Sequence, residues 1–315
     1  MNFKAIWADR TPYRKFLILL GLVLLSTFFS LTVFYMLVKP VFGLDLVANP
    51  NLINDFSHPV VLNVWRLMQI IQSIGFFIIP PFLMVYLAYR EGNSFLQLNV
   101  KPPVISSLLI IILIFSAIPL INWLGYWNER LTLPSSMAVI EEWMKNSEKQ
   151  LGELSKVLLK ADSPSVLMLN IFMIALLPAI GEELLFRGLI QKMFGQWTKN
   201  IHVAIIISAV LFSAMHGQFY GFFPRMVLGV LFGYLLIWSG SLWVPIIGHF
   251  INNATAVIVN YIIQNYKINI PIDSIGTRQG DVLILILSVV ISLSLIYLLY
   301  KQRRSSSDSV ENYYN

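Results

Sequence analysis

Residues 165–187 read SVLMLNIFMIALLPAIGEELLFR. The first 16 residues of this stretch carry no charge, and the last seven contain Glu182, Glu183 and Arg187. A charged group near a bilayer centre costs about 2.5–3.5 kcal/mol on insertion scales and is tolerated where it faces another charge, a polar cavity or water. The stretch therefore predicts a polar site inside a bundle of apolar helices.

The composition predicts a polytopic integral membrane protein, in the plasma or inner membrane if the source is bacterial. Of 315 residues, 57% are hydrophobic and 12% are charged, with a mean hydropathy of +0.71, whereas a soluble domain is about 25% charged. The chain has no cysteine, which excludes disulfides, zinc-thiolate sites and cysteine nucleophiles. The net charge of +6 is not gathered in one basic patch, so no nucleic-acid partner is predicted.

Eight apolar runs approach or exceed the roughly 20 residues that a spanning helix needs. Pro80 and Pro81 break the second run, and Pro119 lies in the third, where we expect a kink. In chain order the runs cover about 16–38, 64–89, 104–127, 163–194, 202–216, 224–238, 242–263 and 282–300. They predict an all-α fold of about eight transmembrane helices around an interior polar cavity.

The distribution of basic residues predicts the orientation. With eight spans, both termini lie on one side, and the segments on that side contain eleven basic and four acidic residues. The segments on the other side contain nine basic and ten acidic residues. Because basic residues are enriched in cytoplasmic loops, we expect both termini in the cytoplasm.

The remaining segments fit a single membrane domain, residues 1–315. Apolar residues recur at about helical spacing within the polar stretch of about 128–162, which predicts an amphipathic surface helix in an extracytoplasmic loop. The polar tail of about 305–315 is predicted to be disordered.

The two carboxylates of the opening stretch have different surroundings. Glu183 and Arg187 are four residues apart, so they share a helical face and can pair, and each then lowers the cost of burying the other. Glu182 points about 100° away, and Phe186 is its i+4 neighbour. A structural ion pair and a catalytic carboxylate both fit this pattern.

Two other apolar runs contain imidazole groups. His216 ends the segment that starts at Phe212, and it is either an interfacial residue or part of a site. His249 and Asn253 are four residues apart near the middle of the seventh run, so they share a helical face. They form either an interhelical hydrogen bond or a catalytic pair, in which the imidazole holds a water or a metal and the amide donates to an oxyanion.

Together these groups fit hydrolysis by water. Glu182 would take a proton from water, the water would attack a carbonyl, and Asn253, helped by an imidazole, would stabilise the oxyanion. In the alternative, Glu182, His216 and His249 would bind a zinc ion with an open position. The sequence contains neither His-Glu-x-x-His, as in soluble zincins, nor the Gly-x-Ser-x-Gly of a nucleophile elbow.

Three segments resemble, in order and internal spacing, the motifs of the CPBP intramembrane proteases: Glu182-Glu183-x-x-x-Arg187, Phe212-x-x-x-His216 and His249-x-x-x-Asn253. This family unites type II CAAX prenyl endopeptidases with bacteriocin-processing and self-immunity proteins. The resemblance covers about residues 165–265.

The resemblance implies CAAX-protease-like endopeptidase activity on a membrane-associated peptide or protein. It implies a conical interior cavity that opens toward the cytoplasm and the lipid, and a water activated by Glu182. The other motif residues would complete or support the site: His216, His249, Asn253, Glu183 and Arg187. Family members are described as metalloproteases, and a metal-free glutamate mechanism is also argued, so zinc and no cofactor both stay open. A prenylated substrate is not implied by these residues.

Two other functions fit the same residues. A proton-coupled transporter would use intramembrane Glu and His as a relay, although the sequence shows no repeat of the kind that transporters often contain. A bacteriocin-immunity or binding protein would keep the motifs without catalysis. The predicted partners are the lipid bilayer and a membrane-associated peptide or protein.

Overall fold

The computed structural model describes residues 4–58, 60–268 and 272–302. These ranges are largely helical and contain no strand, so the all-α prediction is confirmed. The helices of more than ten residues are, in chain order, α1 (Pro12–Phe42), α2 (Val61–Ala88), α3 (Val104–Ser116), α4 (Ile118–Asn128), α5 (Ala138–Leu158), α6 (Pro164–Thr198), α7 (Ile201–Ala214), α8 (Phe222–Ser239), α9 (Trp243–Tyr266) and α10 (Val282–Lys301).

The chain is an integral membrane protein by the length and apolar character of its helices. In the described ranges, six helices are able to cross a membrane, or seven if α3 and α4, bent by 48° at their junction, form one span. The bend lies beside Pro119, the predicted kink. The predicted fifth span is α7, whose 14 residues extend about 21 Å, less than the roughly 30 Å of a hydrocarbon core. The predicted count of eight spans is therefore approximate.

Side-chain caps define where α6 and α7 begin. The hydroxyl oxygen of Ser163 accepts the N–H of Val166 at 3.4 Å, and Pro164 occupies the first helical position, where its missing N–H costs nothing. The side-chain oxygen of Asn200 accepts the N–H groups of His202 and Val203 at 2.9 and 3.2 Å, as expected of an N-cap. The turn between the helices is short, so α7 packs back against the end of α6.

The polar stretch between α4 and α6 contains the predicted surface helix, which is α5. A hydrogen bond from the guanidinium of Arg66 to the Lys160 carbonyl oxygen, 2.9 Å long, joins the end of this stretch to α2. The Tyr220 N–H donates to the Glu148 carboxylate of α5 at 3.4 Å. The predicted disordered tail, about 305–315, lies outside the described residues.

Helices α2 and α6 approach each other closely beside Glu182. A Cβ atom added at Gly181 would lie 2.6 Å from the Cβ of Phe77 and 3.2 Å from the Cγ1 of Ile78. A side chain at position 181 would therefore separate the two helices. The glycine that precedes the two carboxylates thus has a packing role.

Gly181→Ala is expected to lower the melting temperature of the purified protein in detergent. The added methyl group would overlap the Cβ of Phe77, which moves only with its backbone, and overpacking of this kind costs about 1–3 kcal/mol. Gly125→Ala is the control, because a Cβ there meets no atom of the described residues within 4 Å. Equal melting temperatures for the two variants would contradict the close contact of α2 and α6.

Candidate active site

A buried ion pair on α6 organises the site. The Glu183 Oε1 atom accepts a hydrogen bond from the Arg187 Nη1 group at 2.9 Å, and both side chains are completely buried. The Nη2 group of Arg187 donates to the Gly229 carbonyl oxygen of α8 at 3.0 Å. The pairing follows the i, i+4 spacing, and the second bond connects α6 to α8.

Aromatic rings surround the Arg187 guanidinium. Its central carbon lies 4.4 Å from the centre of the Phe212 ring and 5.5 Å from that of Phe232. Rings at these distances attract a desolvated cation through their quadrupoles. A side chain at position 229 would disturb this arrangement, since a Cβ on Gly229 would lie 3.2 Å from the Arg187 Nη2 atom.

His249 reaches the ion pair from α9. Its Nδ1 atom is 2.9 Å from the Glu183 Oε1 atom, and because a carboxylate accepts, Nδ1 carries the proton in this hydrogen bond. The ring stacks on Phe232, with centroids 5.4 Å apart and planes inclined by 18°. These contacts orient the Nε2 atom toward Glu182, whose Oε2 atom is 3.9 Å away.

His216 approaches the same carboxylate from the end of α7. Its Nδ1 atom is 2.9 Å from the Phe212 carbonyl oxygen, which can only accept, so Nδ1 donates here too. Its Nε2 atom is 4.0 Å from the Glu182 Oε2 atom. The two imidazoles are therefore oriented alike, each with its Nδ1 atom in a hydrogen bond and its Nε2 atom facing one carboxylate oxygen.

Glu182 lies between the two imidazoles. Separations of 3.9 and 4.0 Å are too long for direct hydrogen bonds, and the Oε2 atom has no hydrogen-bond partner among the described residues. The side chains of Glu182 and His249 are 11% and 6% exposed, whereas that of His216 is 31% exposed. His216 is therefore the most exposed of the three side chains, and the Glu182 Oε2 atom itself is buried.

Asn253 lies one helical turn from His249 on α9, and its contact is with another part of α6. Its amide donates to the Ile174 carbonyl oxygen at 3.4 Å. Pro178, four residues after Ile174, has no N–H to offer that oxygen, so the amide supplies a donor. The amide of Asn252 in turn donates to the Asn253 side-chain oxygen at 3.2 Å. Two of the predicted catalytic residues, His216 and His249, thus lie within 4.0 Å of Glu182, and Asn253 lies one helical turn from His249.

The predicted zinc set does not fit zinc as its side chains are placed. Tetrahedral zinc with nitrogen and oxygen ligands at about 2.0–2.1 Å requires ligand atoms about 3.4 Å apart, and the Nε2 to Oε2 separations here are 3.9 and 4.0 Å. In the described ranges, no group of three or more His, Asp or Glu residues has metal-binding spacing. The Nδ1 bonds of both imidazoles would suit metal ligands, but they equally orient imidazoles toward water.

Several contributors to the site were not identified from the sequence. Gly229 and Phe232 of α8 contact Arg187 and His249, yet both lie in an ordinary apolar run. Arg225 donates to the side-chain and backbone oxygens of Gln218 at 2.9 and 3.2 Å, and so braces the loop after His216. The sequence signal that could have identified Arg225 is its position as the one charged residue at the start of the apolar run 224–238.

The segment that contains these side chains is similar to a known protein family. Residues 164–255 match the family model described as "Rce1-like: Type II CAAX prenyl endopeptidase Rce1-like". The predicted resemblance is confirmed. The matched segment contains both carboxylates, Arg187, both imidazoles and Asn253. It covers most of the range over which the resemblance was predicted, about 165–265.

A curated relative covers part of the chain. The Bacillus subtilis (strain 168) protein named "Uncharacterized protein YpbD" is 28% identical over an alignment of 138 residues. The alignment covers 42% of this chain and 66%, just under two thirds, of the relative. No solved structure matches the chain.

Glu183→Gln is expected to destabilise the protein by about 3–5 kcal/mol, because it leaves the Arg187 guanidinium buried without a counter-ion. Thermal unfolding in detergent measures the effect. The double variant Glu183→Gln, Arg187→Met should recover part of the loss, since it removes the uncompensated charge.

Glu142→Gln provides the matched control, as this residue of α5 is exposed, and its melting temperature should equal that of the parent. If Glu183→Gln were as stable as Glu142→Gln, the ion pair would not have the organising role described above.

Proposed function

We propose that the protein is an intramembrane endopeptidase of the CAAX-protease-like kind, in which Glu182 activates water to hydrolyse a peptide bond of a membrane-associated peptide or protein. The observation that supports this most strongly is the position of the Glu182 Oε2 atom, 3.9 and 4.0 Å from two imidazole Nε2 atoms. The family match over residues 164–255 supports the same type of activity.

The spacing of the three acceptors suits one water molecule. A water placed about 2.8 Å from each of two acceptors bridges atoms about 4 Å apart at an angle near 90°. It would donate one hydrogen to Glu182 and the other to an Nε2 atom, and a lone pair of its oxygen would face the scissile carbonyl. A buried water is held well when it has two to four polar partners, and here the Glu182 carboxylate and one Nε2 atom supply two.

Glu182 carries the proton of the water during the reaction. Glu182 accepts a proton as the water attacks and delivers it to the leaving amine, so that the carboxylate is regenerated. The tetrahedral oxyanion needs donors, and the Asn253 amide has two N–H groups, of which one bonds Ile174. The other N–H is the donor that we assign to the oxyanion.

Glu183 and Arg187 are positioning residues in this scheme. Glu183 orients His249 through the 2.9 Å bond to Nδ1, and Arg187 compensates the charge of Glu183. The Glu183 Oε1 atom therefore accepts two hydrogen bonds, from Arg187 and from His249. Neither of these groups bonds Glu182 directly, and we assign Glu182 to the water.

Glu182→Gln should abolish cleavage of a membrane-associated reporter peptide in proteoliposomes and leave the fold intact. Loss of a general base typically lowers the rate about 10²–10⁴-fold, and glutamine keeps the shape of the side chain. Glu142→Gln, on exposed α5, should cleave like the parent. A Glu182→Gln variant that cleaves at the parental rate would refute the assignment, and a parent that cleaves no peptide would favour an immunity or binding role.

Peptide cleavage should continue in excess chelator, since the imidazole and carboxylate separations suit water better than zinc. Elemental analysis of the purified protein should find less than one zinc per chain. Chelator-sensitive cleavage that added zinc restores would instead establish a metal mechanism with Glu182, His216 and His249 as ligands.

A further inference from the structure

The start of α1 and the end of α6 meet through aromatic rings. The centroids of the Tyr13 and Trp197 rings are 5.5 Å apart. Trp197 in turn stacks on Phe194, with planes inclined by 18°, and the Phe194 and Phe16 centroids are 5.3 Å apart. We call the surface around these rings the α1–α6 corner, and it comprises Arg10, Tyr13, Arg14, Leu17, Trp197 and Lys199.

Backbone hydrogen bonds hold the N-terminal segment beside the corner. The Ala5 N–H donates to the Tyr86 carbonyl oxygen and the Trp7 N–H to that of Leu87, each at 2.9 Å. Both acceptors lie at the end of α2. The Arg10 N–H then donates to the Trp7 carbonyl oxygen at 3.1 Å, so backbone contacts place Arg10 at the start of α1.

The α1–α6 corner carries exposed positive charge. Arg10, Arg14 and Lys199 are all exposed. In the part of the chain that the structure describes, neither Arg10 nor Arg14 forms an ion pair, and Asp9, the one acidic residue of 4–15, bonds Arg90 at 2.8 Å. The two guanidinium groups are therefore available to an anion from outside the chain.

The rings of the corner suit the boundary between headgroups and acyl chains. Tyr13 and Trp197 are each 49% exposed, and these two residue types are enriched at membrane–water interfaces. Arginine side chains close to this boundary extend their charged groups toward the headgroups. The corner thus combines an aromatic layer with guanidinium groups at one end of a spanning helix.

An apolar stripe of α1 continues from the corner. Leu17, Leu20 and Leu24 are 48%, 44% and 72% exposed. They follow Tyr13 by four, seven and eleven residues, so the four side chains share one helical face. From Tyr13 to Leu24 the helix rises about 16 Å, close to the roughly 15 Å of hydrocarbon in one leaflet. An acyl chain can therefore lie along this stripe while its headgroup lies at the corner.

The charge of the corner favours an anionic lipid over a zwitterionic one. A choline or ethanolamine headgroup has an ammonium group beside its phosphate, so its net charge is zero. A phosphatidylglycerol headgroup keeps one net negative charge, and basic residues next to the end of a spanning helix attract anionic lipids.

We propose that the α1–α6 corner binds an anionic phospholipid. The phosphate lies at Arg10 and Arg14, the glycerol region lies beside Tyr13 and Trp197, and an acyl chain follows the α1 stripe. Guanidinium groups suit this phosphate because they donate two parallel N–H groups to it. This inference goes beyond the proposed peptidase function and does not depend on it.

Native mass spectrometry of the purified protein in detergent tests the proposal. With dioleoylphosphatidylglycerol and dioleoylphosphatidylcholine added in equal amounts, the parent should retain the anionic lipid preferentially. The double variant Arg10→Gln, Arg14→Gln should bind that lipid about 25-fold more weakly, because each basic residue near an anionic lipid contributes about fivefold in affinity. Both arginines are exposed, so the melting temperature without added lipid should not change.

The double variant Lys149→Gln, Lys156→Gln is the matched control, since it removes the same charge from exposed positions of α5, and it should bind the anionic lipid like the parent. Equal retention of the two lipids by the parent would overturn the proposal. So would parental binding by the arginine variant, or an equal loss in the α5 variant. A parent that retains no lipid and forms dimers that Trp197→Ala disrupts would also overturn it, because the corner would then bind a second copy of the chain.

Discussion

The rest of the site depends on the buried ion pair between Glu183 and Arg187. The pair is completely buried, so each charge requires the other, and removal of either is costly. Through it three helices are held together, because Arg187 bonds the Gly229 carbonyl of α8 and Glu183 bonds His249 of α9. The ion pair lies within one helix, yet through Glu183 it also orients the His249 imidazole of another helix.

That constraint separates the roles of two adjacent carboxylates. The Glu183 Oε1 atom accepts from a guanidinium and an imidazole, whereas Glu182, rotated about 100° around the helix, faces two Nε2 atoms that are too distant to bond it directly. The separation between the Glu182 carboxylate and each imidazole suits a bridging water molecule, and His216 is the most exposed of the three side chains. Because the two carboxylates point in different directions from the helix, Glu183 positions the site and Glu182 is the one that we propose to activate water.

Much of this arrangement could be predicted from the sequence, because hydropathy, proline positions and i, i+4 spacing are local properties. The helices, the bend at Pro119 and the Glu183–Arg187 pair were predicted in this way, and the family motifs added His216 and His249. Spacing within single helices does not show that Glu182 and His249 meet, yet they are 3.9 Å apart, since the packing of different helices sets their meeting point. The stacking of Phe232 on His249 depends on that packing too and had no periodic signal.

The central claim is that Glu182, His216 and His249 hold one water between them. The most direct measurement is an experimental structure of the protein in a lipid nanodisc, at a resolution that shows ordered water. The account predicts a water oxygen within about 3 Å of a Glu182 carboxylate oxygen and of at least one of the two Nε2 atoms. A Glu182 side chain that bonds another side chain directly, or that points toward the acyl chains, would contradict it.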